Sequence, residues 1–157
     1  MTAPPRSDRD FDALVEHAFV DEECLRAAWH GAGRLAGEIE AIERSAASPR
    51  QALPALCAAM GRAGLLGLVA RAEDGGRFAA IRSVALCLAR ERLAWISPLA
   101  DLAFAMQALG GYPIGWRGSA ALRRRWLPRV IDGSAVGAFA LTEPGAGSDL
   151  DGIETQA

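Results

Sequence analysis

The spacing of apolar residues changes abruptly after Gly133, and this change most constrains the fold of the chain. Before it, apolar residues recur mainly at the three- and four-residue intervals of amphipathic helices. After it, the apolar, partly alternating stretch AVGAFAL predicts a β-strand over residues 135–141. We therefore expect a mainly α-helical chain that ends at the start of a β-domain. A lone strand cannot satisfy its backbone edges, so either its partner sheet lies elsewhere or the sheet has been cut away.

Several helices are predicted ahead of that strand. They cover about residues 11–19, 21–44, 48–61, 78–95, 99–109 and 119–127, and either Gly61 or Gly64 would end the third. Ser48 and Gln51 predict a capping box at the start of the third helix. The stretch GGYPIGWRG predicts a loop, after which Ser119 caps a short basic helix that Pro128 is expected to end.

Charge and composition exclude several classes of function. Seventeen basic and nineteen acidic residues give a net charge of −2, too balanced for a nucleic-acid surface. Cys24, Cys57 and Cys87 are odd in number and far apart, which favours neither a disulfide framework nor a metal site. The sequence has no signal-peptide pattern and no apolar run of the roughly 18 residues that a membrane span needs. We therefore expect a cytoplasmic globular protein without metal.

Neither of two glycine clusters is interpreted as a dinucleotide-binding site, and one arginine run carries little functional signal. GAGRLA, from Gly31, follows a predicted helix rather than a strand, so it lacks the context of a dinucleotide fingerprint. GAGSDL lacks the third small residue and a following helix. The arginines of the run Arg123–Trp126 are interpreted as a solvated face or a contact between subunits, and Trp126 as a core residue.

The stretch LTEPGAGSDL is a stronger candidate for a ligand-binding site than the other motifs. Pro144, Gly145 and Gly147 impose a tight path in which backbone N–H groups can point outward. Thr142 and Ser148 add hydroxyl groups. The loop could therefore bind a planar, carbonyl-rich ligand or an anion, but an ordinary Gly/Ser/Asp turn explains the same residues equally well.

These residues resemble a known family. The run AFALTEPGAGSDLDGIETQA resembles the acyl-CoA dehydrogenase signature, and MGRAGLLGL, EDGG, RERLA and LRRRWLPRVIDGSAVGAFALTEP resemble that family's upstream segments. The resemblance extends from about residue 21 to the end. It implies an N-terminal extension (1–20), the family's N-terminal helical domain (21–133) and the beginning of its middle β-domain (134–157).

The resemblance also implies FAD as cofactor and an acyl thioester, bound to CoA or to an acyl carrier, as substrate. The implied cofactor-binding residues are Phe139, Ala140, Leu141, Thr142, Gly147 and Ser148. Ser148 would also meet the substrate, and Met106 and Gly111 would border the acyl-tail pocket with Leu109. Glu143 and Asp149 are interpreted as structural residues of the loop.

The family's further strands, its C-terminal helical bundle and its usual catalytic carboxylate have no counterpart here, so no catalytic residue is assigned. We expect the chain to be inactive alone and to form homo- or hetero-oligomers. The alternative is a non-catalytic helical interaction module, or a truncated relic, that pairs with a full-length homologue. An open strand edge would allow such pairing by β-augmentation.

Overall fold

A computed structural model describes residues 22–156 of the chain. The predicted N-terminal extension and the predicted helix at residues 11–19 lie outside the described residues. The α-helices are α1 (Glu22–Gly33), α2 (Ala36–Ser45), α3 (Pro49–Arg62), α4 (Ser83–Ile96), α5 (Pro98–Arg117) and α6 (Ala120–Ile131). Short 3₁₀ turns cover Leu65–Val69, Ala72–Asp74 and Leu150–Gly152. The mainly α-helical fold class is confirmed.

One apolar core joins these helices. α1 packs on α4, while α5 packs against α3, α4 and α6 and so occupies the centre of the bundle. The largest fully buried side chains of the core include Trp29, Phe104, Leu25, Ile39, Leu56 and Leu66. Burial of each such side chain stabilises the fold by about 1.5–3 kcal/mol. None of the described helices is long and apolar enough to cross a membrane.

The predicted helix over 21–44 is wrong in extent, because the structure divides it between Gly33 and Ala36. Glycine costs a helix up to about 1 kcal/mol relative to alanine, so this glycine-containing stretch is a weak point. Leu35 and Ile39, which follow the break, are both buried in the core.

The start of α3 agrees with the sequence prediction only in part. Ser48 is the N-cap and Pro49 the first helical residue, as predicted. The capping box is wrong, because the Ser48 side chain makes no capping hydrogen bond. The Gln51 side chain instead accepts a hydrogen bond of 3.2 Å from the backbone N–H of Ala47.

α5 is longer than the sequence predicted. The expected loop after residue 109 is wrong, since the helix continues through Pro113 to Arg117. Its glycines face close neighbours: a Cβ on Gly111 would lie 3.3 Å from Val130 Cγ1. Packing therefore offsets the low helix propensity of this stretch.

α6 begins as predicted and ends later. The Ser119 hydroxyl accepts a hydrogen bond of 3.3 Å from the N–H of Leu122, which confirms the predicted cap. Pro128 lies inside the helix, which ends at Ile131. Gly133 then adopts a φ of 77°, a left-handed conformation that favours glycine. We term residues 135–156, which follow this turn, the tail.

The predicted strand over 135–141 is wrong for the structure as described. Residues 136–142 belong to no helix or strand. Among the described residues, β-pairing is limited to two isolated bridges, Arg71 with Phe78 and Glu143 with Ala146. A strand needs a neighbouring backbone to complete its hydrogen bonds, and no neighbour is provided within residues 22–156. The predicted domain boundary at 133/134 stays a prediction.

Candidate functional site

Glu143 organises the loop that carries the glycine motif. Its backbone exchanges hydrogen bonds with Ala146, at 2.9 Å and 3.2 Å. Its carboxylate accepts hydrogen bonds of 2.9 Å from the N–H groups of Glu154 and Thr155. The N–H of Glu154, followed by donors from Thr155, lowers the pKa of Glu143. The structural role predicted for Glu143 is confirmed.

Asp149 has a similar but smaller role. Its carboxylate accepts a hydrogen bond of 3.2 Å from the N–H of Asp151 and so caps the short turn that follows. This bond confirms the predicted use of Asp149 to hold the loop. Both acids of the motif thus bind backbone N–H groups of the tail.

The predicted cofactor-binding residues all lie on the surface. Phe139 and Leu141 are 47% and 44% exposed, although both are large and apolar. The other four, Ala140, Thr142, Gly147 and Ser148, are also exposed. A Cβ on Gly145 or Gly147 would meet nothing within 4 Å, so this side of the loop is open to approach.

Residues 138–142, which we term the open segment, also have an open backbone. Within residues 22–156, no hydrogen bond joins the backbone of this segment to another residue. Five consecutive residues therefore offer free donors and acceptors together with exposed apolar side chains. Such a surface can contact a flat, partly polar ligand or a further strand.

Gln107 fixes the chain just before the open segment, and no motif in the sequence predicts this role. Its side chain is completely buried in α5. Its Nε2 donates to the carbonyl oxygens of Val130 at 3.0 Å and Ala135 at 2.9 Å. Its Oε1 accepts a hydrogen bond from the N–H of Gly137. The sequence does contain a signal for this role, because Gln107 is a polar residue at a position of α5 where the helical spacing predicts a buried side chain.

Met106 and Gly111, the predicted acyl-pocket residues on α5, face different neighbours. Met106 is half-buried, and its carbonyl oxygen would lie 2.6 Å from a Cβ on Gly137. Gly111 is buried against Val130 and Leu127 of α6. The structure thus places Met106 beside the start of the tail and Gly111 at the α5–α6 contact.

Gly111 also borders a cavity of about 210 Å³ between α5, α6 and the stretch before α4. The lining is mostly apolar and includes Ile81 and Leu127. Tyr112 and Trp116 stack at this cavity with ring centroids 6.1 Å apart. The open segment does not line it.

A buried acid beside the cavity explains one of the three consecutive arginines. The Asp74 side chain is 4% exposed and accepts from Arg123 Nε at 2.7 Å. Arg71 Nη2 lies 3.3 Å from Asp74 and donates to the Gly115 carbonyl at 3.0 Å. The hydrogen bond to Asp74 is the main cause that raises the pKa of Arg123. Arg123 thus forms an ion pair within the chain while its side chain stays 30% exposed, and Arg124 is exposed. The predicted solvated or intersubunit role of the run stays a prediction.

The sequence of the helical bundle identifies its family. Residues 17–134, most of the chain, match the profile described as "Acyl-CoA dehydrogenase, N-terminal domain". The chain belongs to the acyl-CoA dehydrogenase family and carries its N-terminal helical domain.

Individual relatives have names of the same kind. The chain is 37% identical over 94 residues to cyclohexane-1-carbonyl-CoA dehydrogenase of Geobacter metallireducens, covering 60% of this chain and 24% of that protein. It is 36% identical over 102 residues to acyl-CoA dehydrogenase FadE12 of Mycobacterium tuberculosis, covering 65% and 26%. It is 31% identical over 124 residues to an acyl-CoA dehydrogenase of Bacillus subtilis, covering 78% and 31%. The match spans only 24% to 31% of these relatives' lengths.

Proposed function

We propose that this chain forms the N-terminal part of an FAD-dependent acyl-CoA dehydrogenase, which desaturates an acyl thioester between its α- and β-carbons. The observation that carries the proposal is the match of the helical domain to this family. The open segment supports it, because accessible apolar and hydroxyl side chains follow directly on that domain. A cytoplasmic location and assembly into homo- or hetero-oligomers are part of the same proposal.

The residues present fit one wall of a flavin site. Phe139 and Leu141 offer apolar contact area for a ring system. Thr142 and Ser148 would each offer a hydroxyl to the bound flavin, and a Cβ on Gly147 would meet nothing within 4 Å, so the wall would stay open to approach there. When bound, FAD would supply the acceptor for the hydride that leaves the β-carbon.

This chain's own contribution is to bind and orient. Ser148 would contact both cofactor and thioester, while Met106 and Gly111 on α5 would border the acyl tail. Glu143 is committed to two backbone N–H groups, so it holds the loop and is not assigned as a base. We assign no catalytic residue within this chain and expect it to be inactive alone.

Titration of the full chain with FAD tests the cofactor part of the proposal. We expect quenching of flavin fluorescence, and about a fivefold to tenfold weaker Kd for Leu141→Ala because ring contact area is lost. Leu122→Ala is the matched control, since Leu122 on α6 is 46% exposed and is not assigned to the site. Equal weakening by both variants, or no binding by the wild type, would contradict the flavin wall.

Acyl-CoA-dependent reduction of an artificial electron acceptor tests the activity. We expect no turnover by this chain and turnover once the remaining parts of the family fold are supplied. Turnover of an acyl-CoA by this chain would refute its inactivity alone.

The second candidate is a non-catalytic helical module, or relic, that pairs with a full-length homologue. The unpaired backbone of residues 138–142 favours it, because an added strand would complete those hydrogen bonds. It predicts a stable complex with the homologue and no flavin bound by the chain itself. Size-exclusion chromatography of the chain with FAD alone, and then of the chain with the homologue, separates the two candidates. Flavin that elutes with the chain alone supports the first, and a complex with the homologue without flavin on the chain alone supports the second.

A further inference from the structure

Gln107 connects three parts of the molecule through one side-chain amide. It lies in α5, donates to Val130 in the last turn of α6 and to Ala135 in the tail, and accepts from Gly137. Both amide hydrogens and the amide oxygen therefore have partners. Because the side chain is fully buried, no water can replace these bonds without an opening of the structure.

Two glycines bring the tail into close contact with the same turn of α5. A Cβ on Gly110 would lie 3.1 Å from Gly137 Cα and 3.2 Å from Ala138 N. A Cβ on Gly137 would lie 2.6 Å from the carbonyl oxygen of Met106. The backbones can approach this closely because neither residue has a side chain, and Gln107 fixes the register at that contact.

We propose that Gln107 is a positioning residue that fixes the open segment beside α5. Its importance to a flavoenzyme rests on the proposed function of residues 138–142 as a cofactor wall. Gln107 is assigned no contact with cofactor or substrate. It acts through the backbone of Ala135 and Gly137, and so sets the separation between the segment and the helix that carries Met106.

The first test replaces the amide with a side chain of similar length that cannot form these bonds. In Gln107→Met, the Gly137 N–H loses its acceptor, and we expect its protection from hydrogen exchange to fall about tenfold or more. The measurement uses the full chain, with amides of α4 as the internal reference. Ile39→Val, a buried change in α2, is the control for general loss of packing.

The second test distinguishes hydrogen bonding from space filling. In Gln107→Glu, a protonated carboxyl can donate to one carbonyl and accept from Gly137. An ionised carboxylate could still accept from Gly137, but its charge would repel the carbonyl oxygens of Val130 and Ala135 in a buried site and so displace the tail from α5. Burial and those carbonyls would raise the pKa of the new carboxyl. In this variant alone, we therefore expect the Gly137 N–H to be protected from hydrogen exchange at about pH 5 and to lose that protection at about pH 8.

The atoms that form hydrogen bonds with the Gln107 side chain belong to the backbone and do not titrate. The titratable groups nearest along α6 and its end, Arg129 and Asp132, are present in every variant. Wild type and Gln107→Met therefore control for any effect of pH that does not arise at residue 107. If Gln107→Met fails to fold, the pH dependence of Gln107→Glu still decides the matter.

Unchanged Gly137 protection in Gln107→Met, or a flat pH profile in Gln107→Glu, overturns the positioning role. FAD titration then separates this role from the proposed function. If wild type binds no FAD, the cofactor wall fails while the exchange data still decide whether Gln107 positions the segment. If wild type and Gln107→Met bind FAD with equal Kd and identical absorption spectra, the role toward the cofactor is overturned while the proposed function stands.

Discussion

The helical domain and the tail are stabilised in opposite ways. Phe104 in α5 is fully buried, whereas Phe139 in the open segment is 47% exposed. The helical domain is held by burial of apolar side chains. The tail is held mainly by polar bonds, from Gln107 at its start and from Glu143 within it. Burial therefore accounts for the stability of the helical domain, whereas the exposed apolar residues of the tail do little to stabilise this chain.

The largest expected effect is the loss of a core side chain. Phe104→Ala should lower the free energy of unfolding by about 3–5 kcal/mol, because it removes buried contacts and leaves a cavity at the centre of the bundle. Thermal and urea denaturation followed by circular dichroism would measure the change.

Phe139→Ala is the matched control, because it removes the same side chain from the tail. We expect a change within about 0.5 kcal/mol, as for surface substitutions in general. A loss in Phe139→Ala comparable to that in Phe104→Ala would mean that the tail belongs to the core and would end the comparison.

The second effect tests the junction between the two regions. At Gly133, φ is 77°, and an added Cβ would lie 2.1 Å from the Cys57 carbonyl oxygen. Gly133→Ala should therefore destabilise the protein by about 2–4 kcal/mol through backbone strain and overpacking.

Gly145→Ala provides the contrast for that substitution. An added Cβ at residue 145 would meet nothing within 4 Å, so we expect no measurable change in the urea midpoint. If Gly133→Ala and Gly145→Ala both lowered the stability only slightly, that result would contradict the close contact between residue 133 and α3.

The sequence predicted the presence of the helices better than their extents. Ser48 and Ser119 mark two helix starts correctly, since a start depends on local residues. The end of α5 could not be predicted, because Gly110 and Pro113 are tolerated there only through tertiary packing. The expected strand over 135–141 failed because an alternating apolar pattern implies a pairing partner that residues 22–156 do not provide.

The candidate site was predictable where the chemistry is local. Asp149 and Glu143 bind nearby backbone N–H groups, as loop acids commonly do. Gln107 was missed because its partners lie 23 to 30 residues away in sequence. Its position in the helical repeat of buried residues, one turn after Phe104, was the available signal.

The smallest expected effect is the local opening of the tail in acid. Hydrogen bonds from the N–H groups of Glu154 and Thr155 lower the pKa of Glu143 below its usual value of 4.5. The bonds are therefore fully formed above that value and are lost as the pH falls through the lowered pKa. We expect exchange protection of these two amides to decline there, with little change in the thermal midpoint of the helical domain.

Glu143→Gln and Glu154→Gln form the pair of variants that assigns this transition. An amide at residue 143 does not titrate, so the acid-induced step should disappear, and one of the two N–H groups should lose protection at every pH. Glu154→Gln keeps both donors and the Glu143 carboxylate, so the step should remain. A step that persists in Glu143→Gln would assign the titration to another acid. A fall in the thermal midpoint that accompanies the step would show that the tail and the helical domain unfold together, and that polar anchoring and apolar burial are not separable in this chain.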